Sequence, residues 1–137
     1  MDLWSNYLYR KCSKKDIINS FKINNFDKDK NLTILFIEEN VFDIINWIGD
    51  DFIDLIHIDL SNDGELLKNV INKCYHKLKK KGYILFEGGS RERDNIEWMK
   101  KYNKIPINKF LKDKWFNKNF EWDVKQDFPS LTVCKKI

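Results

Sequence analysis

The chain has 137 residues, of which 42% are hydrophobic and 15% aromatic. That fits one domain with a packed core and sets the chain apart from disordered sequences. Lysine and arginine total 25 against 21 acidic residues, a net charge of +4, too mild an excess to argue for nucleic acid as a partner. No run approaches the ~18 apolar residues of a membrane span, and the N-terminus lacks a signal-peptide core. The expectation is a cytoplasmic protein that makes no membrane contact. Cys12, Cys74 and Cys134 are widely spaced and odd in number, so neither a disulfide framework nor a zinc site is expected.

In chain order, residues 1–30 read as a helical segment. Ser13 is placed to cap a helix carrying Ile17, Ile18 and Phe21, after an aromatic patch of Trp4, Tyr7 and Tyr9. An α/β core is expected over residues 31–137. Its first strand covers residues 33–37, and a helix over 41–48 leads to a second strand at 52–58. Asn62 and Glu65 have capping-box spacing. The helix they open places Leu67, Val70, Ile71, Cys74 and Leu78 on one face and ends in three lysines and Gly82. A third strand covers 83–86 and runs into Glu87, Gly88, Gly89 and Ser90. These three strands are nearly continuous apolar runs, the pattern of parallel strands covered on both faces.

Beyond Ser90, Asp94 and Glu97 repeat the capping-box spacing and open a helix through Tyr102. Residues 107–118 follow, with Phe110, Leu111, Trp115 and Phe116 expected to point inward. Strands at 120–124 and 131–134 then close an antiparallel hairpin. One domain is expected, with no repeat or linker inside it.

The order strand, helix, "FIDLIHID", amphipathic helix, "LKKKGYILFEGG", helix and hairpin resembles the second half of class I S-adenosylmethionine-dependent methyltransferases. The resemblance runs from Asn31 to the end. It rests on Asp54 to Asp59 as the family's fourth strand, and on Leu78 to Phe86 as the approach to its fifth. It implies a Rossmann-like sheet with parallel strands, a C-terminal antiparallel hairpin and helices on both faces. The family's glycine-rich loop and first two strands have no counterpart: the five glycines are Gly49, Gly64, Gly82, Gly88 and Gly89. The fold is therefore expected in truncated form, with the strand at 33–37 either paired directly with that at 53–58 or leaving an open edge for a homo- or hetero-oligomeric partner to complete.

Each strand ends in a carboxylate at the edge where open α/β sheets bind ligands. The resemblance places Glu38, Asn40, Val41, Asp59 and Leu60 against S-adenosylmethionine. By the same resemblance Asp59 also lies near the transferred methyl group; Glu87, at the end of the neighbouring strand, is expected to assist as base or ligand. Ser90, Arg91 and Arg93 lead towards a helix N-terminus and suit an anionic or sugar-like small-molecule substrate; the alternative is a loop of internal ion pairs with Glu92 and Asp94. Asp59, Asp63 and Glu87 carry the oxygens a hard cation takes, yet no metal ligand set is assigned. His57 is expected in the core and His76 at the surface. The reading is a methyltransferase-like enzyme. The alternatives are a non-catalytic binding or assembly module with a degenerate form of the fold, and a fragment of a longer reading frame.

Overall fold

The computed structural model describes residues 39–125 and 130–137, together with Lys15, Asp16, Asn19 and Ile37. The chain divides into two units, Met1–Asn40 and Val41–Ile137. In the first, Lys15, Asp16 and Asn19 take helical backbone, within the helical segment expected over residues 1–30, while Ile37 is exposed and outside any regular element; the expected cap Ser13 and Ile17, Ile18 and Phe21 lie outside the described residues. The aromatic patch, Cys12, Glu38, residues 33–36 of the first expected strand and the hairpin loop at 126–129 lie outside the described residues.

The second unit opens with a short helix, α1 (Val41–Ile44), continued by a 3-10 turn over Ile45–Trp47. Strand β1 (Ile53–Ile58) follows, then α2 (Gly64–Cys74) and β2 (Leu78–Glu87). Three short helices, α3 (Glu97–Lys101), α4 (Ile107–Leu111) and α5 (Lys114–Asn119), lead to the hairpin β3 (Phe120–Lys125) and β4 (Leu131–Lys136). The sheet order is β1-β2-β4-β3. β1 and β2 are parallel, with Ile58 opposite Phe86, and the hairpin inserts β4 antiparallel beside β2, with Ile84 opposite Cys134. The α2 crossover is what lets β1 and β2 run in the same direction.

Side-chain alternation decides which face of the sheet is covered. Ile58, Ile84, Phe86, Phe120 and Cys134 are buried in one cluster with Leu67, Val70, Ile71 and Cys74 of α2, Phe110 and Leu111 of α4, and Phe116 of α5. The opposite face carries Leu55, His57, Tyr83 and Glu87, all exposed, beside Leu85 and Val133, which are half-buried. Among the described residues the helices therefore supply one face. His57, expected in the core, is exposed because it points to the other.

Three boundaries differ from the sequence expectation. The cap of α2 is Asp63, whose carboxylate accepts from Glu65 N at 3.0 Å, because Asn62 turns inward instead. α2 also stops at Cys74 rather than at the lysines. The backbone turns at 75–77, and the amides of Phe52 and Ile53 bond to the Lys77 carbonyl, so Leu78 already enters the sheet. Lys79, Lys80 and Lys81 thus belong to β2. They form a bulge, since Ile53 faces Leu78 while Leu55 faces Tyr83, and Lys81 has a φ of 65°. Lys79 reaches Asp54 at 2.8 Å.

The third difference is Asp94. It is buried and caps α4 rather than α3: its carboxylate accepts from Ile107 N at 3.1 Å and Asn108 N at 2.7 Å. α3 begins after Ile96 with no side-chain cap. Trp115 is a smaller departure. It stays partly exposed and sets its ring edge against Tyr75, 5.2 Å between centroids, rather than entering the core.

Candidate functional site

The register Ile58 opposite Phe86 brings the next residues on the two strands, Asp59 and Glu87, to the same end of the sheet. Neighbouring strands lie about 5 Å apart, so these two acidic positions sit side by side at the C-terminal edge of the parallel pair. Asp59 is exposed, and among the described residues it makes no side-chain hydrogen bond or ion pair. Leu60, next to it, is 43% exposed, an apolar side chain left at an edge rich in polar groups. The chain then dips: Asn62 is buried and donates from Nδ2 to Met99 Sδ at 3.5 Å. Asp63 pairs with Lys104 at 3.1 Å while capping α2.

Glu87 ends β2 and is held by Arg93, with 2.5 Å between carboxylate and guanidinium. That ion pair is neither of the two arrangements expected for Arg93. Its guanidinium is spent on a residue of the site itself, and its Nε is buried without a hydrogen-bond partner. Arg91 is exposed. Ser90 is buried, and its hydroxyl accepts from Arg93 N at 3.1 Å, closing the turn that follows β2.

The double glycine between them is tightly turned. Gly88 and Gly89 have φ of 108° and 98°, values that L side chains rarely adopt. A Cβ on Gly88 would lie 2.4 Å from both Asn62 Oδ1 and Ile107 Cδ1, and one on Gly89 would lie 2.6 Å from Thr132 Oγ1. Gly88 N donates to Ser130 O at 2.7 Å and its carbonyl accepts from Thr132 Oγ1 at 2.6 Å. The space a side chain would need is filled by the protein itself.

Of the other expected residues, Val41 opens α1 and is 37% exposed. Asn40 is exposed and belongs to the first unit, and Glu38 lies outside the described residues. Among the described residues no three His, Cys, Asp or Glu side chains come together as a metal site. The sequence reading gave Asn62 only the role of a helix cap and assigned none to Met99 or Lys104, so it missed that these three brace the loop after β1. Only the spacing of Trp98 and Tyr102 around Met99 hinted that this segment has a buried side and an exposed one.

No protein-family model matches the sequence, and no curated protein matches it significantly. Solved structures do. A methyltransferase from Geobacter sulfurreducens superposes with a TM-score of 0.59 at 10% identity, over 91% of this chain and 55% of its own. A protein from Corynebacterium glutamicum gives a TM-score of 0.61 at 10% identity, over 90% of this chain and 57% of its own. A structure from Staphylococcus aureus described as a caffeoyl-CoA O-methyltransferase gives 0.57 at 16% identity, over 92% and 62%. The chain thus spans less than two thirds of the length of each of these three structures. No helix among the described residues is long and apolar enough to cross a membrane. At these identities the likeness is one of fold: the chain has a class I methyltransferase-like α/β fold.

Proposed function

We propose that this chain is a methyltransferase-like protein that binds S-adenosylmethionine at the C-terminal edge of β1 and β2 and acts on a small anionic or sugar-bearing acceptor. The observation that carries the reading is the pair of carboxylates, Asp59 and Glu87, ending adjacent parallel strands in a fold shared with methyltransferases. An exposed carboxylate beside an exposed leucine suits a ligand that joins hydroxyls to a flat apolar ring. In this reading Asp59 accepts from hydroxyls, and Leu60 and Val41 cover the ring.

When bound, S-adenosylmethionine supplies a methyl group on a positively charged sulfur. The protein's share is positioning. Asp59 orients the acceptor, Glu87 takes up the acceptor's proton while Arg93 holds it in place, and Arg91 meets an anionic group on the acceptor. Ser90 contributes by fixing the turn that carries both arginines.

A second reading, a binding or assembly module without catalysis, has one observation in its favour. The Gly88–Gly89 turn is packed with the protein's own side chains, so this double glycine forms no open ligand cradle. Calorimetric titration with S-adenosylhomocysteine separates the two. The expected result is saturable one-site binding that Asp59→Ala weakens at least about tenfold, the usual effect of losing a hydrogen bond to a charged group. No heat at millimolar ligand, from a protein folded by circular dichroism, overturns the methyltransferase reading for this chain.

A further inference from the structure

We propose that the turn after β2, Gly88 to Ser90, is a two-state element whose open state binds a small hydroxylated anion through Asn62, Ser130 and Arg93. Three side-chain atoms among the described residues are buried without a hydrogen-bond partner: Asn62 Oδ1, Arg93 Nε and Ser130 Oγ. Folded proteins seldom leave such atoms unpaired, since each gives up its hydration and gains no bond in return. The three come from separate segments, after β1, after β2 and before β4, yet all of them meet the same turn. Asn62 Oδ1 lies against Gly88, 2.4 Å from where a Cβ would stand. Ser130 lies opposite Gly88, whose amide donates to its carbonyl at 2.7 Å. Arg93 N donates to Ser90 Oγ, and its guanidinium holds Glu87, the residue before Gly88.

Backbone conformation marks the same place. Gly88, Gly89 and Ser130 all have positive φ, 108°, 98° and 55°. For serine this is an uncommon state, and residues held in such states gather at ligand clamps and switch regions. Asn62 and Ser130 are 9% and 3% exposed, so the closed turn hides the polar atoms that it leaves unsatisfied. Its latch is the Thr132 hydroxyl, fully buried, which donates to Gly88 O at 2.6 Å. The Gly88–Gly89 peptide has no Cβ at either end to resist rotation of its plane. Rotating it breaks the Thr132 bond and keeps the one from Gly88 N to Ser130 O, because that amide belongs to the preceding peptide.

The unpaired atoms select the ligand. Arg93 Nε is a donor on a cation and calls for an anionic oxygen. Asn62 Oδ1 only accepts and calls for a hydroxyl, while Ser130 Oγ serves either. A carboxylate or phosphate carried on a short polyol supplies all of these groups. A bare anion leaves Asn62 unanswered, and a neutral polyol leaves Arg93 unanswered. Arg93 can keep Glu87 through Nη2 while Nε turns to the ligand. As a ligand site the turn stands alone; as the acceptor site it rests on the proposed function.

The test uses glycerol 3-phosphate and glycerate, with inorganic phosphate and glycerol as single-group controls, followed by calorimetry and by the NMR signals of the Gly88 and Gly89 amides. One of the two hydroxylated anions is expected to bind saturably, at least about tenfold more tightly than either control, and to shift both amides. The tighter of the two tells phosphate from carboxylate. Arg93→Lys keeps a cation for Glu87 but lacks Nε, and should weaken binding at least about tenfold. Thr132→Val removes the latch and enlarges the open fraction, so it should tighten binding at least about twofold, an effect that mere loss of structure does not produce. The proposal is overturned if neither anion binds at millimolar concentration, if inorganic phosphate or glycerol binds as well, or if both glycine amides stay in place on binding. It is equally overturned if either variant, folded, binds like the parent. S-adenosylhomocysteine keeps the two proposals separate. Its binding should persist in Arg93→Lys, and a parent that binds the anion but not this ligand upholds the turn while overturning the methyltransferase reading.

Discussion

The Lys136 ammonium donates to the Leu78 carbonyl at 2.6 Å from a side chain that is 9% exposed as a residue. It also reaches the carbonyl of Tyr75, the C-cap of α2, at 3.0 Å and lies 4.4 Å from that residue's ring centroid. A charge from β4 thus serves the joint where α2 hands over to β2, a place where helix carbonyls lack partners.

Lys136→Met keeps the length of the side chain and removes its donors. Hydrogen bonds to a charged group contribute about 1.5–3 kcal/mol each, so the variant should lose on the order of 2–3 kcal/mol in urea unfolding, with an unchanged m-value. A loss under about 0.5 kcal/mol, the size of an ordinary surface change, would mean that water serves those carbonyls equally well.

Gly88 should tolerate no side chain. Its φ of 108° and a Cβ position 2.4 Å from Asn62 Oδ1 and Ile107 Cδ1 combine strain with a clash. Gly88→Ala is expected to cost at least about 2 kcal/mol. Gly49, whose added Cβ meets nothing within 4 Å, is the control, and Gly49→Ala should stay within about 0.5 kcal/mol. Comparing the two urea midpoints checks this; similar midpoints would show that the turn relaxes.

These joints explain how far the sequence could be read. Apolar runs located β1, the core of β2, the hairpin and the inner face of α2, because burial against one core leaves a period that any register must respect. Polar residues were harder. Asp94 and Glu97 have capping-box spacing, yet the Asp94 carboxylate caps α4 across a loop. The three lysines look like a helix end, but Lys136, from the far end of the chain, supplies the charge there. Such choices depend on which distant amide or carbonyl arrives nearby, and local spacing holds no record of that. The site followed the same division. Asp59 and Glu87 were legible as strand ends, whereas the Arg93 contact to Glu87 and the inward turn of Asn62 were not.

The two described thiols give a pH prediction. Burial pushes Cys74 up to about 11 and Cys134 up to about 12. Both are acids held neutral by folding, so the folded state keeps protons that the unfolded chain releases above pH ~8.5. Their contribution to stability is complete below that pH. It declines as pH rises towards 11–12, by up to about 1.4 kcal/mol per pH unit for each thiol. In a Cys12→Ser variant at pH 8, a thiol reagent should label almost nothing until urea unfolds the chain. Rapid labelling of the folded variant would show that the core around Cys74 or Cys134 opens readily.

Glu87 offers a test of function that leaves the fold largely alone. Its side chain is 45% exposed and that of Arg93 31%, and ion pairs this open contribute about 0–1 kcal/mol. Glu87→Gln keeps the shape and an acceptor oxygen for Arg93, so unfolding stability should fall by less than about 1 kcal/mol. In the proposed mechanism Glu87 takes a proton from the acceptor and does not hold the cofactor. S-adenosylhomocysteine should therefore bind the variant like the parent, while turnover of any acceptor found for the parent is lost. A stability loss above about 2 kcal/mol, beyond what an exposed pair supplies, would instead assign Glu87 to the fold. Cofactor binding that disappears with Glu87→Gln but survives Asp59→Ala would exchange the roles given to the two carboxylates.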